Sequence, residues 1–358
     1  MENRQNNFNI IRFVAAIMVM AGHMGSLTGT PPLGFLGLSI NAEGIAIFFL
    51  IGGYLITKSW MADSHPLRYA VKRASRILPP LIGYVLLAAL VLGPLLSTLP
   101  LREYFASPQV GEYLKNMAFY VVFSLPGVFT GNPYPNVANG SLWSLPVEVL
   151  MYLLVPLVLS LLALLTRDEK KRSVLLAAVV LGVCALRFVQ LLFFPAWRQV
   201  VYHTDLGQVV MIMPYYFLGM LYTLPAMKKL LNLQVAMVLM LGSLCLAFGP
   251  VKMELVRMVL LPYIIFSLAF CPQPRFAHAF ARYDISYGIY LYGFFVQQAV
   301  VQLLGAQRFS FMVLLSLSVL VTIGFALLSA ILVEKPSERL KNKILFYLSA
   351  PNASKTAV

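Results

Sequence analysis

A train of apolar runs, each about as long as a bilayer is thick, leaves this chain little choice of fold. They lie at 8–27, 42–60, 77–97, 144–165, 173–194, 207–224, 230–248, 255–272, 285–304 and 310–333. A spanning helix needs roughly 20 apolar residues, and in lipid only helices and closed barrels satisfy their own backbone groups. The 358 residues are 60% hydrophobic and 11% charged, against about 25% charged in a soluble domain. The runs predict an all-α polytopic membrane protein of about ten transmembrane helices. The start is polar, and the run after it is too long for a signal h-region and has no small-residue cleavage site. The first helix is therefore expected to be retained.

A net charge of +14 suggests nucleic acid at first sight. The basic residues are instead interspersed between the apolar runs, which excludes a soluble basic block. Their distribution reports topology. With the N-terminus inside, segments 1–7, 58–76, 166–172, 225–229, 273–284 and 334–358 hold 19 of the 27 Lys and Arg. Five lie outside (Arg102, Lys115, Arg198, Lys252 and Arg308), and Arg12, Arg187 and Arg257 fall within runs. By the positive-inside rule the orientation is N-in and C-in. Segment 98–143 is read as an outward, irregular excursion, because counting 113–130 as a span would turn the basic cluster Arg167–Arg172 outward. Such backbone at membrane depth must be covered by protein or line a cavity, so it is a candidate roof for a site. One integral domain is expected over 1–343, with a cytoplasmic tail over 344–358. Cys184, Cys245 and Cys271 have no metal spacing and read as small core hydrophobes.

Within the first run stand Arg12 and His23, 11 residues or ~16 Å apart along a helix. An arginine inside a span costs ~2.5–3.5 kcal/mol, so both residues need a reason. His23 reads either as a general base or as a bundle histidine hydrogen-bonded to a neighbour. Arg12 either takes part in chemistry or snorkels to the headgroups. Ser144, Glu148 and Tyr152 share one helix face at i, i+4, i+8. Glu148 falls in the outer half of its span, as His23 does, and makes a candidate partner that orients the imidazole. Lys72, Arg73 and Arg76 gather at the inner mouth of the third run. Their charges suit phosphate oxygens or serve as topological anchors beside anionic lipid. The run from Glu43 to Ile56 carries Gly44, Gly52 and Gly53, which permit close helix packing. His203 and Asp205, in the loop 195–206, read as an ordinary polar loop before they read as acceptor contacts.

In sequence order these pieces resemble the membrane acyltransferase-3 family, which includes O-acyltransferases of O-antigen, exopolysaccharide and other envelope glycans. The matching residues are Arg12-x10-His23, Phe48-Phe49 with Gly53-Tyr54, Arg73-x-x-Arg76 with Ile77 and Pro79, Ser141-Leu-Trp143-Ser144 with Glu148 and Tyr152, Ser286-Tyr287 with Tyr290-Leu291, and Val333-Glu334-Lys335-Pro336. The resemblance covers almost the whole chain. It implies an enzyme of a bacterial cytoplasmic membrane with no bound cofactor and no metal. An acyl-CoA donor, usually acetyl-CoA, would meet Arg73, Arg76 and Lys72 from the cytoplasm. His23, Glu148 and Arg12 would be the catalytic group, with Trp143, Ser144, Tyr152 and Tyr54 in support. The acceptor would be a carbohydrate or lipid-linked glycan. The chain departs from the pattern at Gly52, where the family often has serine, and at Gly293, where many members carry histidine. The competing reading is a proton-coupled transporter or flippase, with Arg12, His23 and Glu148 as a proton relay.

Overall fold

A computed structural model describes residues 7–31, 34–35, 38–243, 249–271 and 284–349. It is almost wholly helical, with two two-stranded ribbons, Gly34–Phe35 with Leu38–Ser39 and Val200–Val201 with Thr204–Asp205. Among the described residues seven helices are long and apolar enough to cross a bilayer. They include α1 (Phe8–Thr28), α2 (Ile40–Ala62), α3 (Pro66–Leu87, prolonged to Leu96), α4 (Ser144–Leu165) and α5 (Glu169–Phe193). The shorter α6 (Leu206–Leu221) and α7 (Leu233–Ser243) follow, then the long α8 (Pro250–Phe270). The more polar α9 (Ser286–Leu304) precedes α10 (Phe311–Ser329), the seventh long helix, which runs on through a wide turn into α11 (Lys335–Ser349). Each of the ten expected runs thus meets a helix, and seven meet the length and hydropathy that spanning requires. Cys245 lies outside the described residues. Cys184 and Cys271 carry no disulfide.

Local chemistry sets the helix ends. Asp168 accepts from the N–H groups of Lys170 and Lys171 at the start of α5, and Asp205 accepts from Gly207 N–H at the start of α6, each satisfying donors that a first turn leaves open. Gly29 takes the left-handed conformation that closes α1, with φ of 71°. The third helix starts well before the apolar run, at Pro66 behind the cap His65. Lys72, Arg73 and Arg76 therefore lie on its first turns and project from a rigid helix.

Helices α1 and α2, α2 and α6, and α9 and α10 share the broadest interfaces. Glycine makes the α2–α6 crossing possible. A Cβ on Gly53 would lie 1.9 Å from the Tyr216 carbonyl oxygen, and one on Gly219 would lie 2.0 Å from that of Leu50. Gly44 is less tight but still leaves no room for a side chain, its Cβ position 2.6 Å from the Ala15 carbonyl oxygen of α1. This is the small-residue contact that lets backbones meet in lipid. Gly293 faces Met20 of α1, whose Cγ would stand 3.1 Å from an added Cβ.

Segment 98–143 holds no spanning helix. Short turns at Leu101–Ala106 and Pro108–Leu114 lead into irregular backbone, and Gly140–Trp143 forms a 3-10 turn. Positive φ at Phe119, Gly127, Phe129 and Asn136 bends the chain back on itself. Asn139 pins it to the bundle, donating to Tyr84 Oη and the Leu291 carbonyl, both at 2.8 Å, while Asn132 donates to Gln298. Buried backbone of this kind needs such side-chain partners.

Candidate active site

Two cavities enter the bundle from opposite ends. The larger, of about 910 Å³, opens where α1 begins and α2 ends. Arg12, Lys72, Arg73 and Arg76 line it, as do Asp284, Glu334 and, from α11, Lys335 and Lys341. Its floor reaches Glu148, Ser144 and Tyr290, so it runs as deep as the first turns of α4. The smaller, of about 430 Å³, opens at the other end and is lined by His23, Asn41, Trp143, Trp197, Gln208 and Arg257 among others. Ile45 lines both cavities, and the neighbours Trp143 and Ser144 face one each. The wall between them is one side chain thick at Ile45. Tyr290 secures it: its hydroxyl lies 2.6 Å from Ser144 Oγ and donates to the Ser141 carbonyl at 3.1 Å.

The cations of the larger cavity are unequal. Asp284 bonds to Arg12 and, at 2.8 Å, to Arg76, which also lies 3.4 Å from Glu334. Burial disfavours the charge on Asp284, but Arg12 and Arg76 outweigh it, and with the Ser286 hydroxyl and N–H they hold its carboxyl down at about 2. Lys72 is held by Asp63 at 2.7 Å. Arg73 is different. It has no carboxylate partner among the described residues. Its guanidinium lies over the rings of Tyr69 and Tyr152, at 5.7 and 5.8 Å, and touches Ser59 Oγ at 3.4 Å. Its Nε is buried without a hydrogen-bond partner. A buried donor left so is costly and calls for an acceptor.

The expected His23–Glu148 pair is not formed. Glu148 accepts from the Tyr152 hydroxyl at 2.6 Å and faces the larger cavity, which Arg73 also lines. His23 is half-buried in the smaller one, its ring edge-to-face with Phe294 at 5.0 Å, and among the described residues it makes no hydrogen bond. The spans give both residues a similar depth, but the two side chains face different cavities. Trp143 and Ser144 stand at the wall. Tyr54 belongs to neither cavity; it packs among Phe8, Phe266 and Phe270. The excursion 98–143 gives the two linings only Trp143, and the mouth of the smaller cavity is formed instead by Pro195–Arg198 and Asp205. His203 stacks on Tyr120 at 4.0 Å, joining that loop to the excursion.

A buried ionic network behind the smaller cavity carries no motif in the sequence. Arg257, 1% exposed, bonds to Glu254 and to the Tyr215 hydroxyl and stands 3.6 Å from Glu43. Arg187 lies 3.3 Å from Glu254 and donates to Gln190 at 2.7 Å. The signal was there: Arg187 and Arg257 fall within apolar runs, and a charge in a span needs a partner. Glu254, three residues before Arg257, was the readable one. Asp284 was also missed, and Tyr290 was read only as a matching residue with no partner, since nothing in local spacing ties them to Arg76 or Ser144. Among the described residues no group of three His, Cys, Asp or Glu could hold a metal ion.

Comparison with known proteins supplies the chemistry. A family model described as an acyltransferase domain matches residues 5–333. An O-acetyl transferase of Shigella phage Sf6 is 28% identical over 323 residues, 89% of this chain and 92% of that protein. Nodulation protein 10 of Rhizobium leguminosarum bv. viciae is 28% identical over 363 residues, 95% of each chain. No solved structure matches. The helices, the Arg12–His23 run and the basic cavity thus occur in a chain that belongs to the acyltransferase-3 family and is an acyltransferase.

Proposed function

We propose that this enzyme is an integral-membrane O-acyltransferase of a bacterial cytoplasmic membrane. It moves an acyl group, acetyl in the first instance, from cytoplasmic acyl-CoA to a sugar hydroxyl of an envelope glycan. One observation carries the reading. Arg73, a half-buried cation with no carboxylate bonded to it among the described residues and a buried, unpartnered Nε, faces a deep cavity whose floor meets the His23 cavity at Ile45. The charge bias supports placing the basic end in the cytoplasm. There Arg73 binds donor phosphate through charge-assisted hydrogen bonds. Arg76 and Lys72 border the same mouth, with part of their charge already matched by carboxylates.

The donor's thin thiol-bearing arm extends past Glu148 and Tyr152 to Ser144 and Ile45, bringing the thioester to the wall. His23, neutral and without a hydrogen bond of its own, takes the proton of the acceptor hydroxyl. With the Ile45 side chain turned aside, the hydroxyl oxygen attacks the thioester carbonyl carbon. A C–O bond forms, the C–S bond breaks, and the sulfur leaves as a thiolate. The proton held by His23 passes to that thiolate, giving the O-acyl sugar and free CoA thiol. Glu148 is a positioning residue that fixes Tyr152 under Arg73. Arg12 joins Asp284 and Arg76 and holds the mouth together.

Reconstituted protein given radiolabelled acetyl-CoA and isolated envelope glycan is expected to label the glycan. His23→Ala removes the labelling while the protein still inserts. Labelling that survives in this variant contradicts the role of His23. Arg73→Ala is expected to raise donor KM; an unchanged donor KM contradicts the donor assignment.

A further inference from the structure

The lining of the smaller cavity is specific about what it accepts. Asn41 and Gln208 face it, and among the described residues neither amide has a hydrogen-bond partner. Each offers a donor and an acceptor. Trp143 and Trp197 add two indoles to the same lining, and Trp197 is 41% exposed at the mouth. The charges there are matched. Arg187 and Arg257 have Glu254, Arg257 also has Glu43, and Arg198 stands 3.6 Å from Asp205. Three arginines meet three carboxylates. An anion entering this cavity meets arginines that each already face a carboxyl group within 3.6 Å.

We infer that this cavity is the acceptor site and that it takes an uncharged, hydroxyl-rich sugar ring. Trp197 and Trp143 cover its C–H faces, Asn41 and Gln208 bond its hydroxyls, and the reacting hydroxyl lies at His23. A hydroxyl both donates and accepts, which is what free amides complement and what a phosphate or carboxylate does not need. An indole gives apolar contact with little loss of side-chain freedom. The volume of about 430 Å³ lies within the range for small-molecule sites. The inference rests on the acyl-transfer reading and adds the site and the charge class of the acceptor.

Steady-state transfer from radiolabelled acetyl-CoA to isolated envelope glycan, by protein in vesicles, tests it. Trp197→Ala is expected to raise acceptor KM roughly three- to tenfold, and Gln208→Leu roughly two- to tenfold. Donor KM stays as in the wild type in both, a split that general damage to the fold would not give, and Trp197→Phe recovers most of the loss. At saturating donor, acceptor KM is expected to be flat as salt rises from about 0.05 M to about 0.5 M, because a neutral ring feels no screening. Acceptor KM unchanged in both variants overturns the site. Acceptor KM rising several-fold with salt overturns the charge class. Wild-type protein that transfers nothing to glycan overturns the acyl-transfer reading itself, and the site with it.

Discussion

The two cavities treat charge in opposite ways. At the basic end the half-buried Arg73 lies over two tyrosines with no carboxylate bonded to it among the described residues, and lysines of α11 border the same mouth. At the far end each lining arginine stands within 3.6 Å of a carboxylate, and the groups left over are neutral amides and the imidazole of His23. Unmatched charge in a low-dielectric bundle is expensive, so it persists where an anion can offset it. Matched charge costs less and leaves the cavity neutral. The difference divides the labour: an anionic donor at one end, an uncharged acceptor at the other, and one side chain of wall between them.

The comparison breaks first at His23. Its replacement by glutamine is expected to lower transfer about 10²–10⁴-fold, the usual worth of a general base, with the melting temperature unchanged. A variant that keeps more than a tenth of wild-type turnover removes the far cavity from the chemistry. Arg257→Leu tests the matched network. It leaves Glu254 and Glu43 buried without their main partner, so stability should fall by ~3–5 kcal/mol, read as a lower melting temperature in detergent. Arg73→Gln tests the unmatched charge and should do the reverse. Donor KM rises about 10- to 100-fold, the worth of a charged hydrogen bond, while removal of a half-buried cation with an unpartnered Nε leaves the melting temperature level or higher. Equal thermal losses in both variants would erase the distinction.

Much of this arrangement was legible in the sequence. A charge stands out in an apolar run, so Arg12 declared itself, and Arg73 and Arg76 were legible as a basic cluster at the inner mouth of the third run; all three line one cavity. The glycines of α2 were legible as packing residues, and Gly53 does meet the Tyr216 backbone. Depth was legible too, because position along a span measures it. Direction around the bundle axis was not. His23 and Glu148 have a similar depth, yet face different cavities, because α4 turns the Ser144–Glu148–Tyr152 face toward α3. Partners distant in sequence were equally hidden. Asp284 joins Arg12 across 272 positions and Arg76 across 208, and no local spacing encodes that.

A smaller effect separates the ends by pH. The Asp284 carboxyl, held at about 2 against an ordinary 3.8, contributes stability that is present above pH ~4 and is lost as pH falls toward 2. Asp284→Asn should therefore flatten the acid limb of the unfolding profile between those values, while Glu112→Gln, in an exposed pair with Lys115, should leave it as it is.

Access from the two sides tests the central claim most directly. In sealed vesicles of known orientation, acetyl-CoA is supplied on one face and glycan on the other, and acetyl transfer is followed. Transfer is expected only when the donor meets the end bearing Arg73 and the acceptor meets the end bearing Trp197. Transfer that needs both substrates on one face, or that proceeds with the donor at the Trp197 end, would contradict the account.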